Sequence, residues 1–271
     1  MKLNFRRVSF TYPSSVRALD GIDLNIGSGE FVAIVGENGA GKTTLVKMLV
    51  GLLRPDEGSV NVGDWDISEH TTADLARRVG FLFQNPDDQL FERSVTREVA
   101  FGPYNLGFPK RKVNTNTRNA LKDVGLAEKA EINPYDLEPF ERKLLALAAT
   151  LAQDTPVLVL DEPSIGQDEH GRRRIGRILQ DLHKKGRTIL LISHDLDFCA
   201  QYVERVTVIA DGHVLEDGSA ETVFAKSELL QKAALIPPQL VRLAQALKMP
   251  STPLTIPGFV RAFGKQRIGS K

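Results

Sequence analysis

The chain has 271 residues, 42% apolar and 25% charged, a balance that suits one large globular domain or one domain with a small appendage. Its net charge of +1 excludes a global pull toward nucleic acid or anionic lipid. No apolar stretch approaches the roughly 18 residues of a membrane-spanning helix, the opening residues lack the apolar core of a signal peptide, and the single cysteine, Cys199, fits a reducing compartment.

Two strand-like runs open the chain, LNFRRVSF and LDGIDLNI, linked by the turn-rich YPSSVRA. FVAIVG follows as a short apolar run ending in glycine, a pattern that predicts a buried strand. KTTLVKMLVGLL then carries helical periodicity, and RPDEGS closes it. From about Thr71 to Gly125 the pattern is mostly helical, interrupted by the strand-like VGFLF, and a further helix follows Pro139. PVLVLD and RTILLIS read as buried strands on either side of the charged helix DEHGRRRIGRILQDLHKK. Such alternation implies a largely parallel α/β sheet. RVTVIADGHVLEDG predicts a hairpin turning at Asp-Gly. PPQLVRLAQALK is amphipathic with proline in its first turn. The last twenty or so residues, with three prolines and scattered cations, are expected to order weakly.

GENGAGKT, Gly36 to Thr43, fits G-x-x-x-x-G-K-[ST] and lies between a predicted strand and a predicted helix, where a phosphate cradle must lie. Its glycines, Gly36, Gly39 and Gly41, let backbone N–H groups approach phosphate oxygens, with Asn38 and Ala40 completing the loop. Lys42 reaches the β- and γ-phosphates, and Thr43 offers a hydroxyl to Mg²⁺, with Thr44 beside it. The other reading is a tight strand–helix turn with no ligand, and what stands against it is the acidic pair downstream. There VLVLDEP puts Asp161 at a strand end as a Mg²⁺ ligand, and an extended backbone turns Glu162 to the opposite side, to polarise an attacking water. His194, in LLISHD, ends the next strand and offers a bond to the γ-phosphate and the water. Gln84, after VGFLF, is the remaining candidate, for the water and for the metal. Either residue alone would serve structure as readily as chemistry.

Cradle, glutamine, acidic pair and histidine, in that order, resemble the ATPase subunits of ABC transporters. The resemblance implies an ABC-type P-loop NTPase fold of the α/β class over residues 1–225: a RecA-like core, an antiparallel β lobe and a helical subdomain near residues 86–153. Residues 226–271 are then expected to form a short C-terminal extension that contacts the partner in a dimer and ends in a weakly ordered tail. The resemblance further implies ATP and Mg²⁺ as cofactors, adenine stacked on Tyr12, and a head-to-tail dimer enclosing two ATP molecules. QNPDDQLF, Gln84 to Phe91, and IPPQLVRLAQAL resemble the energy-coupling factor branch, whose ATPases energise uptake of vitamins or of cobalt and nickel ions. That branch implies a transmembrane scaffold subunit, a separate substrate-binding membrane subunit, and a peripheral place on the cytoplasmic face of the cell membrane. Asp87 and Asp88 are then expected to meet basic residues of the scaffold, and Phe91 to fill an apolar pocket; the other reading makes both acids helix-end charges. The alternatives are another class of ABC transporter, or a soluble ABC-type ATPase working on DNA or at the ribosome. The latter needs a coiled coil or a second ATPase copy, and no nucleic-acid footprint is evident.

DLEPFER, residues 136–142, departs from that family. Its signature loop, Leu-Ser-Gly-Gly-Gln, begins 24 residues before the magnesium aspartate, which here is the position of Leu137. Glu138, Pro139, Phe140 and Glu141 thus stand over Ser, Gly, Gly and Gln. Pro139 has no N–H to donate, Phe140 adds bulk where glycine allows close approach, and Glu138 replaces a donor with an anion. The helix start survives, because proline suits a first turn. A homodimer would pair each intact cradle with a defective loop. The expected assembly is a heterodimer with a second ABC ATPase that has an intact signature loop, giving one competent and one degenerate site. SIGQD, Ser164 to Asp168, puts Gln167 where leucine is commoner in the family.

Overall fold

The computed structural model describes residues 1–268; positions 269–271, the end of the tail expected to order weakly, lie outside the described residues. The chain begins with β1 (Leu3–Thr11), β2 (Arg17–Ile26) and β3 (Phe31–Val35), then α1 (Lys42–Met48), β4 (Glu57–Val62), β5 (Trp65–Asp66), α2 (Thr72–Leu75) and β6 (Val79–Leu82). Three helices follow, α3 (Val95–Asn105), α4 (Lys110–Val124) and α5 (Pro139–Ala152). The second half runs β7 (Val157–Asp161), α6 (Glu169–Lys184), β8 (Thr188–Ile192), α7 (Leu196–Tyr202), β9 (Arg205–Ala210) and β10 (His213–Ser219). It closes with α8 (Ala220–Ala225), α9 (Ser227–Lys232), α10 (Gln239–Ala246) and α11 (Ile256–Ile268), the last capped by the Thr255 hydroxyl, which accepts from Gly258 N–H at 3.3 Å.

Two sheets result. One is antiparallel in the order β2-β1-β4-β5; the other has six strands in the order β10-β9-β3-β8-β7-β6, parallel except for β10. The apolar runs FVAIV, VLVLD and TILLI occupy its centre and are buried throughout, as a sheet covered on both faces requires. Their alternation splits the core. Phe31, Ala33 and Val35 join Leu191 and the α5 residues Leu144, Leu145 and Leu147 on one face. Val32 and Ile34 join Leu45 of α1 and the strands of the smaller sheet on the other. The Asp-Gly turn expected between β9 and β10 is present, with positive φ at both Asp211 (48°) and Gly212 (75°).

Helices α3, α4 and α5 pack on one another at the β6 edge of the large sheet, and the loops after β3, β6, β7 and β8 all open at the C-terminal end of the parallel strands. In open α/β sheets that end is where ligands bind. Among the described residues, no helix is long and apolar enough to cross a membrane.

Candidate functional site

The loop from β3 to α1 is held tight by its glycines. A Cβ on Gly36 would collide with the Ile209 carbonyl, and one on Gly41, at φ 99°, with the Ala18 carbonyl. Behind this loop the Lys42 Nζ donates to the carbonyls of Gly36 (2.8 Å) and Glu37 (2.7 Å). Burial lowers its pKa, against the opposing pull of Glu162, Asp161 and Glu37. A cleft of about 450 Å³ opens over the loop, lined by Tyr12, Asn38, Gly39, Gly41, Lys42, Thr43, Thr44, Gln84, Asp161 and Glu162. Ten predicted residues thus converge. Gly36 and Ala40 lie buried in the loop beneath, and His194 reaches the cleft through Glu162. Val16, Ala18 and Ile192, which carry no motif, complete the lining. Tyr12 stands at its rim, edge-on to Phe10, with its hydroxyl 2.9 Å from the Thr44 hydroxyl.

Thr43 and Asp161 meet directly, the Thr43 hydroxyl donating to Asp161 Oδ2 at 2.9 Å. Asp161 is 2% exposed, and burial raises its pKa against the lowering by Thr43, Lys143 and Lys42. Hydroxyl, carboxylate and the nearby Gln84 amide form a hard oxygen donor set that fits Mg²⁺. No cluster of three or more His, Cys, Asp or Glu ligands exists among the described residues. A Mg²⁺ ion held by these residues would need further ligands from phosphate and water, as is usual for this ion.

Glu162 is not extended. Its φ is +51°, a left-handed backbone that costs a non-glycine residue on the order of 1–3 kcal/mol. Strand β7 ends at Asp161, and the twist at Glu162 lines both acids along the same cleft rather than on opposite sides. Glu162 Oε1 accepts from the His194 N–H at 3.0 Å and lies 2.7 Å from His194 Nδ1. Its Oε2 is buried with no hydrogen-bond partner among the described residues. The pair leaves one carboxylate oxygen held by the histidine and one free to accept a proton.

The segment DLEPFER begins α5. Pro139 is the first helical residue; Leu137 and Glu141 are buried while Glu138, Pro139 and Phe140 face solvent. Glu141 turns back, taking the Glu138 N–H (3.3 Å) and pairing with Lys129 (2.5 Å). Gln167 donates to the Phe140 carbonyl at 2.9 Å, so the SIGQD segment is tied to this loop. Asp87, expected to face a scaffold, is half exposed and pairs within the chain with Arg142 at 3.0 Å, and Asn85 caps the turn that holds Asp87 and Asp88. Phe91 is 57% exposed and packs edge-on to the exposed Phe101.

Sequence reasoning missed Lys143. It is 4% exposed and donates to the carbonyls of Phe83 (3.0 Å) and Gln84, with the Asp161 carbonyl at 3.5 Å. Burial lowers its pKa to about 8. The available signal was a lone lysine inside the leucine- and alanine-rich KLLALAATLA, where a cation must be satisfied internally.

A glycine loop on a helix N-terminus, with an acidic strand end beside it on a parallel sheet, defines a P-loop nucleotide-binding protein. Residues 19–165 match the ABC transporter family. The chain is 40% identical over 240 residues to the energy-coupling factor transporter ATP-binding protein EcfA of Methanocaldococcus jannaschii, covering 88% of this chain and 86% of that one. It is 38% identical to EcfA2 of Streptococcus pyogenes, over 91% of each. The solved structure of cbiO1 from Clostridium perfringens, described as part of the ABC transporter complex cbiONQ, matches with a TM-score of 0.75 at 33% identity, covering 91% of this chain and 98% of that one. This chain therefore belongs to the ABC transporter ATP-binding family, as an ATPase related to the energy-coupling factor ATP-binding proteins.

Proposed function

We propose that the chain is the ATP-hydrolysing subunit of an energy-coupling-factor-type importer of a vitamin or transition-metal ion. It works at the cytoplasmic face of the cell membrane, in a heterodimer with a second ATPase whose signature loop is intact. A transmembrane scaffold holds the pair, and a separate membrane subunit binds the substrate. The relatives support the branch. The observation that carries the heterodimer is the contrast between the complete cradle and the exposed Glu138–Pro139–Phe140 edge of α5.

In the competent site the loop N–H groups and Lys42 bind the β- and γ-phosphates, and Tyr12 takes the adenine. Thr43, Asp161 and Gln84 would hold Mg²⁺, which supplies neutralisation of charge on the phosphates. Glu162 Oε2 takes the proton of the attacking water, and His194 fixes the carboxylate through Oε1. The partner's signature serine and N–H groups complete this site. At the other site this chain offers Glu138, an anion that repels phosphate, and Pro139, which has no donor. Phe91 and Phe101, with the exposed Tyr104 one turn on, supply the aromatic surface for the scaffold.

The test is affinity purification of the tagged chain from its native membranes. The proposal expects equal amounts of a second ATPase carrying Leu-Ser-Gly-Gly-Gln, together with a scaffold and a substrate-binding membrane protein. Recovery of a homodimer on the scaffold would contradict it.

A further inference from the structure

Strands β6 and β7 are paired up to Leu82 and Leu160, and beyond that pair the ladder stops. The next residues, Phe83 and Gln84 on one side and Asp161 on the other, carry the candidate metal oxygens. Across this gap stands the Lys143 ammonium, reaching from the second turn of α5. It has three donors and faces three carbonyls, those of Phe83, Gln84 and Asp161. The carboxylates of Asp161 and Glu162 supply the opposing charge that a buried ammonium needs.

Other bonds fasten the same stretch to α5. The Thr150 hydroxyl shares its one proton between the Ala146 carbonyl (3.0 Å) and the Phe81 carbonyl (3.3 Å). Gln89 donates to the Ala146 carbonyl (3.0 Å) and to the Thr150 hydroxyl (3.2 Å), while its own carbonyl accepts from Phe83 N–H (3.2 Å). Arg142 holds Asp87. Residues 81–89 therefore form one body with the helix that begins at the signature loop. Lys143 is the member of this set that also reaches β7.

We infer that Lys143 is a positioning residue: it fixes the separation of Gln84 from Asp161, and so carries displacements of the 85–91 segment and α5 to the oxygens that hold the metal. The inference rests on the ATPase reading above. Lys143 does not line the cleft; it acts through the backbone of Gln84 and Asp161, which do. Residues that orient metal ligands from behind change metal affinity by about 10- to 100-fold when replaced.

The purified full chain tests this with a fluorescent ATP analogue, titrated first in EDTA and then against Mg²⁺. Lys143→Met is expected to keep the metal-free affinity within about twofold and to raise the Mg²⁺ midpoint at least about tenfold. Lys143→Gln, which retains a donor for one carbonyl, should recover part of that shift. Thr150→Val breaks a bond of the same body away from Asp161, and should lower Tm while leaving the Mg²⁺ midpoint in place. An unchanged midpoint in Lys143→Met overturns the inference alone, as does an equal shift in Thr150→Val or failure of both Lys143 variants to fold. Absence of any Mg²⁺ effect on wild-type binding overturns the reading of Thr43, Asp161 and Gln84 as a Mg²⁺ site together with it.

Discussion

The loop after β3 and the loop before α5 both open a helix, yet they are built for different work. Gly36–Thr43 has three glycines, a buried lysine and one hydroxyl, and at Gly36 and Gly41 its backbone passes where no Cβ fits. Glu138–Phe140 has an anion, an imino acid and an aromatic ring, all facing solvent. The first gathers phosphate; the second retains the helix start and discards the donors. On the proposed reading, one chain supplies a complete set of its own catalytic residues and an incomplete set for its neighbour. Under that proposal the asymmetry would make the partner's sequence, and not only its presence, part of the mechanism.

The strongest way to break the cradle's half of this contrast is Glu162→Gln. Loss of the carboxylate should lower ATP hydrolysis of the assembled complex by about 10²- to 10⁴-fold, measured as phosphate release, with ATP still bound. A rate near wild type would remove Glu162 from its role. Next is Lys42→Ala. Loss of a charge-assisted bond of about 1.5–3 kcal/mol should weaken ATP binding by roughly 10- to 100-fold, read by equilibrium titration of the purified chain. The same substitution at Lys129, which pairs with Glu141 at the signature end, should leave that affinity unchanged.

A smaller effect sharpens the signature half. Gln167→Ala removes the donor to the Phe140 carbonyl and should lower stability by about 0.5–1.5 kcal/mol, seen as a shift in the denaturant midpoint without a change in nucleotide affinity. The smallest concerns Glu98, which is 3% exposed and accepts the N–H groups of Phe91 (2.9 Å) and Glu92 (2.7 Å). Burial raises its pKa above the usual carboxylate range, so folding favours the protonated form. That contribution is full at acid pH and fades as pH climbs through the raised value. Glu98→Gln has no proton to lose, so its Tm should gain on wild type with rising pH. A constant difference between the two would contradict the assignment.

Much of this was legible in the sequence because the chemistry is local there. A cradle is eight consecutive residues, and buried parallel strands announce themselves as VLVLD and TILLI. What was hidden depends on tertiary contact. The end of β7 at Asp161 is legible in VLVLDEP, but the left-handed backbone of Glu162 that follows it is not. Asp87 reads as a free acid until folding brings Arg142, 55 residues away, beside it. Lys143 reads as an interruption of an apolar helix until the carbonyls beyond β6 and β7 surround it. For Asp87 and Lys143 the partner is distant in sequence.

The central claim is that Glu138, Pro139 and Phe140 disable this chain as a partner for its own copy. The direct measurement is ATP hydrolysis by the purified chain, alone, against the same chain carrying Glu138→Ser, Pro139→Gly and Phe140→Gly. The account predicts a low rate for the wild-type chain and a rise of at least about tenfold in the triple variant, in keeping with the worth of restored phosphate-facing donors. Robust hydrolysis by the wild-type chain alone, unchanged by the triple substitution, would contradict it.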